Sequence, residues 1–150
     1  MSNPMSVSFD MSDFDKVTKN LQPQTSRKAV EAGLRVIEGN AVVNIEKNFS
    51  KQTGELAGNR SVEVKVEGEN ATGTLTFHSD HARIHELGGV IRPINKQMLS
   101  WEDGSGQQVF AKSVTIQPKP YLRPAVDEHQ EEIKAAMAEQ IRQGIERSKS

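Results

Sequence analysis

His81 and His85 stand four residues apart, with His78 just upstream and Glu86 adjacent. On a short helix that spacing brings two imidazoles to one face, where their nitrogens could ligate a metal. The run is not His-Glu-x-x-His, and the remaining histidine, His129, lies far along the chain. The reading favoured here is structural: these side chains pack or hydrogen-bond under a neighbouring hairpin. The twenty carboxylates fall on periodic polar faces or in first helical turns, as solvated residues do. Gly68 and Gly104-Ser105-Gly106 have hairpin-turn context and lack the following helix that a phosphate loop needs. No Gly-x-Ser-x-Gly elbow occurs. No catalytic residue, metal ligand or cofactor is assigned, and the chain is expected not to be an enzyme.

Basic residues suggest a different chemistry. Arg83, Arg92, Lys96, Lys112, Lys119 and Arg123 outnumber Glu86, Glu102 and Asp103 between positions 81 and 123. Such a stripe could contact phosphates even in a chain of net charge −1. No recognition-helix motif or aromatic stacking platform accompanies it. A solvated loop explains the same residues equally well.

The chain's 150 residues suit one domain, positions 1–150, with no disulfide staples. Cysteine is absent, which removes thiolate metal sites and thiol nucleophiles together. Leu, Ile, Val and Phe number 34, and aromatic residues are 5%. A thin core is therefore expected, with arms or loops whose order depends on neighbouring subunits. No apolar run approaches the ~20 residues of a membrane span. Met1 to Asp10 lacks a basic-then-apolar leader pattern. A soluble chain made in the cytosol, with no membrane partner, is expected.

Periodicity supplies the elements. Residues Ser6 to Met11 alternate as a short strand, and Phe14, Val17 and Leu21 mark a short helix that Pro23 ends. From about Thr25 to Phe49, Val30, Leu34, Ile37, Ala41, Ile45 and Phe49 form one helical stripe. Thr25 or Ser26 would cap it. Gly33 and Gly39 weaken it and would let another backbone approach. Lys51 to Arg60 reads as a polar connection. Val62, Val64 and Val66, then Ala71, Gly73, Leu75 and Phe77, alternate as a hairpin with one wet, threonine-rich face. Ser79 or Asp80 can cap a helical turn closed by Gly88-Gly89. Strands are expected over Gln97 to Trp101 and Gln108 to Ala111, with Ser113 to Ile116 continuing the second. Pro118-Lys119-Pro120 forces an extended rod, and a last helix runs from about Pro124 to Arg147.

Three segments, in order, carry a resemblance. They are Thr53-Gly54-Glu55-Leu56 before Arg60-Ser61-Val62, then His81-Ala82-Arg83-Ile84-His85-Glu86-Leu87-Gly88-Gly89, then Pro118-Lys119-Pro120-Tyr121-Leu122-Arg123-Pro124-Ala125. The chain resembles the minor tail component family of long-tailed phages, the head–tail joining or tail-completion proteins, including Mu-like virion morphogenesis proteins. The likeness spans about Ser6 to Ile145. Tyr121 stands where phenylalanine is usual, and the stretch from Val90 to Gln117 is longer than in compact members.

An α+β fold is expected. Its mixed or antiparallel sheet would be built on the Val62–Phe77 hairpin and packed by the long helix and a C-terminal helix. Thr53, Gly54, Leu56, Gly88, Gly89, Pro120 and Pro124 would be its structural motif residues. The resemblance implies a virion structural protein of the neck or tail, assembled in the host cytoplasm. It implies a ring of about six copies that contacts head connector and tail tube proteins, with only non-specific contact to passing DNA. The alternatives are a tail terminator ring protein or a small nucleic-acid-binding module. Ile91, Ile94, Met98 and Trp101, with the Tyr121-Leu122-Arg123 lead-in, would form the subunit or partner interface. For Trp101, closing a local hairpin core is an equal alternative.

Overall fold

In the computed structural model of the chain, residues 4–10, 22–49, 53–68, 70–93, 97–102 and 105–148 are described. The expected helix over Phe14 to Leu21 lies outside them, as does Ile94. The long helix, α1 (Pro23–Asn48), opens on a proline at its first turn. A proline there forfeits no intrahelical bond and has the right φ. This moves the start upstream of Thr25 and Ser26, which are buried in the first turn and are not the N-cap. Gln22 takes the cap position, and its carbonyl accepts the N–H groups of Thr25 and Ser26. The stripe behaves as its spacing requires: Val30, Leu34, Ile37, Ala41 and Ile45 are all buried.

Its core face covers a three-stranded antiparallel sheet in the order β1 (Met5–Asp10), β3 (Asn70–Phe77), β2 (Arg60–Glu67). Val7 and Val62 flank Leu75, and Val64 pairs with Gly73. Ala71, Gly73, Leu75 and Phe77 are buried under α1. The threonines between them line the opposite face, where Ser8 Oγ and Thr74 Oγ1 are 2.8 Å apart. The close backbone approach falls at Gly73, not at Gly39, which faces open space. A Cβ at Gly73 would stand 2.5 Å from Leu34 Cδ1 and from Val30 Cγ1.

The segment between α1 and the sheet is not wholly irregular. Thr53–Gly58 forms a short helix, α2, so Thr53 and Gly54 open a helix, and Leu56 enters the core. One apolar residue gives no period to detect. Arg60 then ties the start of β2 back to α1, 3.0 Å from Glu38 Oε2. Burial raises the Glu38 pKa, but the hydrogen bonds of Arg35 and Arg60 outweigh it and hold the carboxyl below its usual range.

The C-terminal helix is also broken. Leu122–Asp127 forms α4 and Gln130–Ser148 forms α5. After Val126 the next two stripe positions are His129 and Gln130, so no apolar contact carries the helix across. The helix α5 runs antiparallel along α1, with Gly144 against Thr25. Ile133, Met137 and Ile141 are buried there. The architecture is α+β, with α1 between the sheet and the C-terminal helices.

Gly88 ends α3 (Ala82–Leu87) at φ 72, with its N–H on the Ile84 carbonyl at 2.7 Å. Only glycine fits, because a Cβ would meet Ile116 O and Pro118 N at 2.9 Å. Gly89 does not extend that closure but begins β4 (Gly89–Ile91), which pairs with β7 (Val114–Ile116). Residues 113–116 therefore do not continue the preceding strand. That strand, β6 (Gln108–Ala111), pairs with β5 (Leu99–Glu102) in a second ribbon. Strands β4, β5, β6 and β7 thus form a two-part β arm within the span 89–116.

Candidate functional site

Two places collect the residues singled out from the sequence: the junction of α3 with α4, and the arm. At the junction, the backbone N–H groups opening α4 have no acceptor within their own helix. The first turn of α4 holds no acidic residue to receive them. Glu86 of α3 supplies the acceptors from across the fold. Its Oε2 accepts from Tyr121 N at 2.7 Å and Leu122 N at 2.9 Å, and its Oε1 accepts from Arg123 N at 2.8 Å. The residue is 3% exposed. It is not one of the solvated carboxylates, and sequence periodicity gives no sign of this.

Further bonds fix the same lead-in. Asn44 and Asn48 on α1 donate to the carbonyls of Tyr121 and Pro120 at 3.0 and 3.1 Å. Lys119 N donates to His85 O at 2.8 Å. The Tyr121 ring packs edge-on against Phe77, and its hydroxyl donates to the Ala82 carbonyl at 2.9 Å. The hydroxyl that distinguishes Tyr121 from phenylalanine is thus used inside the fold. Burial, and secondarily the Glu86 carboxylate, push the phenol's pKa well above its usual value. Tyr121 and Leu122 are buried in their own subunit, which corrects their reading as interface anchors. Arg123 remains exposed beside Asp127 at 3.4 Å. Pro124 lies in the first turn of α4, where proline is tolerated.

The histidines separate. His78 Nε2 and Ser61 Oγ are 2.7 Å apart, whereas the His85 ring lies 4.6 Å from that of Phe49. His81 is exposed, its ring 6.2 Å from His85. The Glu86 carboxylate is committed to three N–H groups. Among the described residues, no group of three His, Cys, Asp or Glu side chains could hold a metal.

His85 carries a pH dependence. Burial, then the positive potential of His81 and Lys119, lower its pKa from 6.5, with Glu55 opposing. A depressed base stabilises the fold while neutral, so its contribution is complete above the ordinary imidazole value. It is lost as pH falls through the lower, folded value. The thermal midpoint should drop on acidification below neutrality, and His85→Phe should drop less. Equal acid sensitivity of both proteins would remove His85 as the cause.

The arm holds most of the remaining predicted contact residues. On β5 and β6, Leu99 pairs with Ala111 and Trp101 with Val109, so these four share one face. Trp101 is 39% exposed and Met98 42%. Phe110 lies on the other face at 62%, and Val90 at 50% is open at the root. Both were missed from sequence, although the alternation at 108–111 separates Phe110 from Val109 and Ala111. Ile91 is half-buried opposite Val114. Arg83, Arg92, Lys112 and Lys119 are exposed but scattered over α3, the arm and the rod, and Lys119 sits 5.8 Å over the Phe49 ring.

A groove of about 320 Å³ opens beside the arm's root. Met5 and Val7 of β1, Leu87 of α3 and Leu122 and Val126 of α4 form its apolar wall, and Ser6, Glu86, Arg123 and Asp127 also line it. Comparison with family models, with curated proteins and with solved structures gives no match.

Proposed function

We propose that this chain is a virion structural protein, a tail-completion or head–tail joining subunit at the neck of a long-tailed phage. The observation that supports this reading is the arm. An isolated two-stranded ribbon is marginal in water, and this one leaves Trp101 39% exposed on one face and Phe110 62% exposed on the other. The two tip strands pack on each other and at most marginally on any other element. Such an arm suits a subunit completed by its neighbours. The body behind it is braced by α1 and the Glu86 junction, as a load-transmitting joint requires. The resemblance of three sequence segments to the minor tail component family supports the same reading.

In this role the chain forms a ring and contacts head connector and tail tube proteins, while DNA passes without sequence-specific contact. An early stop codon in the gene, placed in its phage, should leave filled heads and separate tails in the lysate. Supplying the full chain from a plasmid should restore joined particles. Normally joined, infectious particles from the stop mutant would overturn the reading.

A further inference from the structure

We propose that two copies of the chain join edge to edge along β2, antiparallel and centred on Val64, so that their three-stranded sheets become one continuous sheet. This goes beyond the neck reading and does not rest on it. β2 is an outer strand of its sheet, and its eight residues pair with β3 without a bulge. It contains no proline, and among the described residues no element lies along its free side with more than marginal contact. A long, regular, open edge is a template for another strand.

The ladder shows which groups are free. His78 N donates to Asn59 O at 2.7 Å, directly beyond the pair of Arg60 with Phe77. Bonded pairs alternate along an antiparallel ladder, so Ser61, Glu63, Lys65 and Glu67 bond to β3. Val62, Val64 and Val66 therefore turn their N–H and C=O groups away from the sheet, where a partner strand would meet them.

Side chains choose the partner and the register. The valines stay on one face only when residues of the same parity lie opposite each other. Centring on Glu63 or Lys65 would set like charges face to face, which is destabilising. Centring on Val62 or Val66 leaves a shorter overlap. Centring on Val64 sets Glu63 opposite the partner's Lys65, and Lys65 opposite the partner's Glu63. These are the non-hydrogen-bonded positions, where side chains approach most closely. Within one copy Lys65 Nζ already stands 3.7 Å from Glu63 Oε1, with the two side chains 73% and 65% exposed. Pairing leaves that contact in place and completes a quartet of alternating sign. On the other face Val66, 38% exposed in the single chain, gains the partner's Val62 as a neighbour. The strand is its own complement, as a two-fold contact between identical copies requires.

The helices leave room for this joint. Each α1 packs over its own β3 at Gly73, so the two would stand three strand spacings apart, about 14 Å. Packed helices need only about 8–10 Å.

The test uses the full chain with Lys65→Glu and with Glu63→Lys, read by sedimentation velocity, thermal melting and amide hydrogen exchange. The parent should form a dimer in which the Val62, Val64 and Val66 amides exchange about tenfold or more slower than in dilute monomer. Each variant gives the quartet a single sign, so each alone should dimerise about 30-fold more weakly at low salt. Both side chains are exposed, so both variants should melt near the parent temperature. An equimolar mixture should regain the parent's affinity as a heterodimer, because the acidic pair of one variant then faces the basic pair of the other. A parent chain that never dimerises overturns the proposal, as does a dimer whose three valine amides stay unprotected. Dimerisation of either variant at parent strength, or a mixture that stays monomeric, overturns it too. These outcomes are independent of whether loss of the gene leaves heads and tails unjoined, so the neck reading and this joint can fail separately.

Discussion

Glu86→Ala should destabilise the protein by about 3–5 kcal/mol, because three backbone donors lose a charged acceptor at once and Leu122 N and Tyr121 N have no water to turn to. For a chain of this length that is a fall of about 10 °C or more in thermal midpoint. Glu86→Gln keeps one acceptor oxygen but turns an amide NH₂ toward another donor, so an intermediate loss is expected. Glu46→Ala, at an exposed carboxylate on α1, should change little. Melting curves of the three variants check the ordering. A Glu86→Ala protein as stable as the parent would mean that the carboxylate does not hold α3 and α4 together.

The second large effect concerns fit, not charge. Gly73→Ala forces a methyl group into the space that Leu34 Cδ1 and Val30 Cγ1 occupy. The expected loss is about 1–3 kcal/mol. Leu34→Ala alone empties a fully buried site and should lose about 2–5 kcal/mol. The double variant should lose less than the sum, since the shortened residue 34 makes room for the added methyl. A coupling of about 0.5–3 kcal/mol is the usual range for residues in contact. Val30 still stands in the way, so the relief is partial. Strictly additive losses in denaturant melts would contradict the close approach of α1 to β3.

What could be read from sequence divides by the range of the interactions involved. The α1 stripe and the β2–β3 hairpin were legible because many residues repeat one period, and the buried positions fell where that period placed them. Pro23 misled because a proline both ends one helix and opens another, and only the fold decides which. The break between α4 and α5 was visible in principle, as the gap after Val126, but dipole-matching charges at both ends concealed it. Strand β4 has three residues and no period; its partner lies beyond the whole tip ribbon.

The candidate site was legible in part. Met98 and Trp101 are exposed on the arm, whereas Tyr121 and Leu122 are core residues. An aromatic next to a proline looks the same in either setting. What holds Tyr121 inside is Glu86, 35 residues earlier, and Asn44 on its backbone, with Phe77 and the Ala82 carbonyl on its side chain. No local pattern records such a contact. Glu86 itself lay among histidines that drew attention as metal ligands, while its chemistry was that of a remote helix cap.

The claim that this chain belongs to the phage neck is tested most directly by where it sits in a finished particle. Gold-labelled antibody against the full chain, applied to intact virions and to particles opened at the neck, locates it by electron microscopy. The account predicts label at a single place, the junction of head and tail, and none along the tail or over the capsid faces. Label confined to the tail tip or the capsid, or particles that carry none of the chain at all, would contradict it.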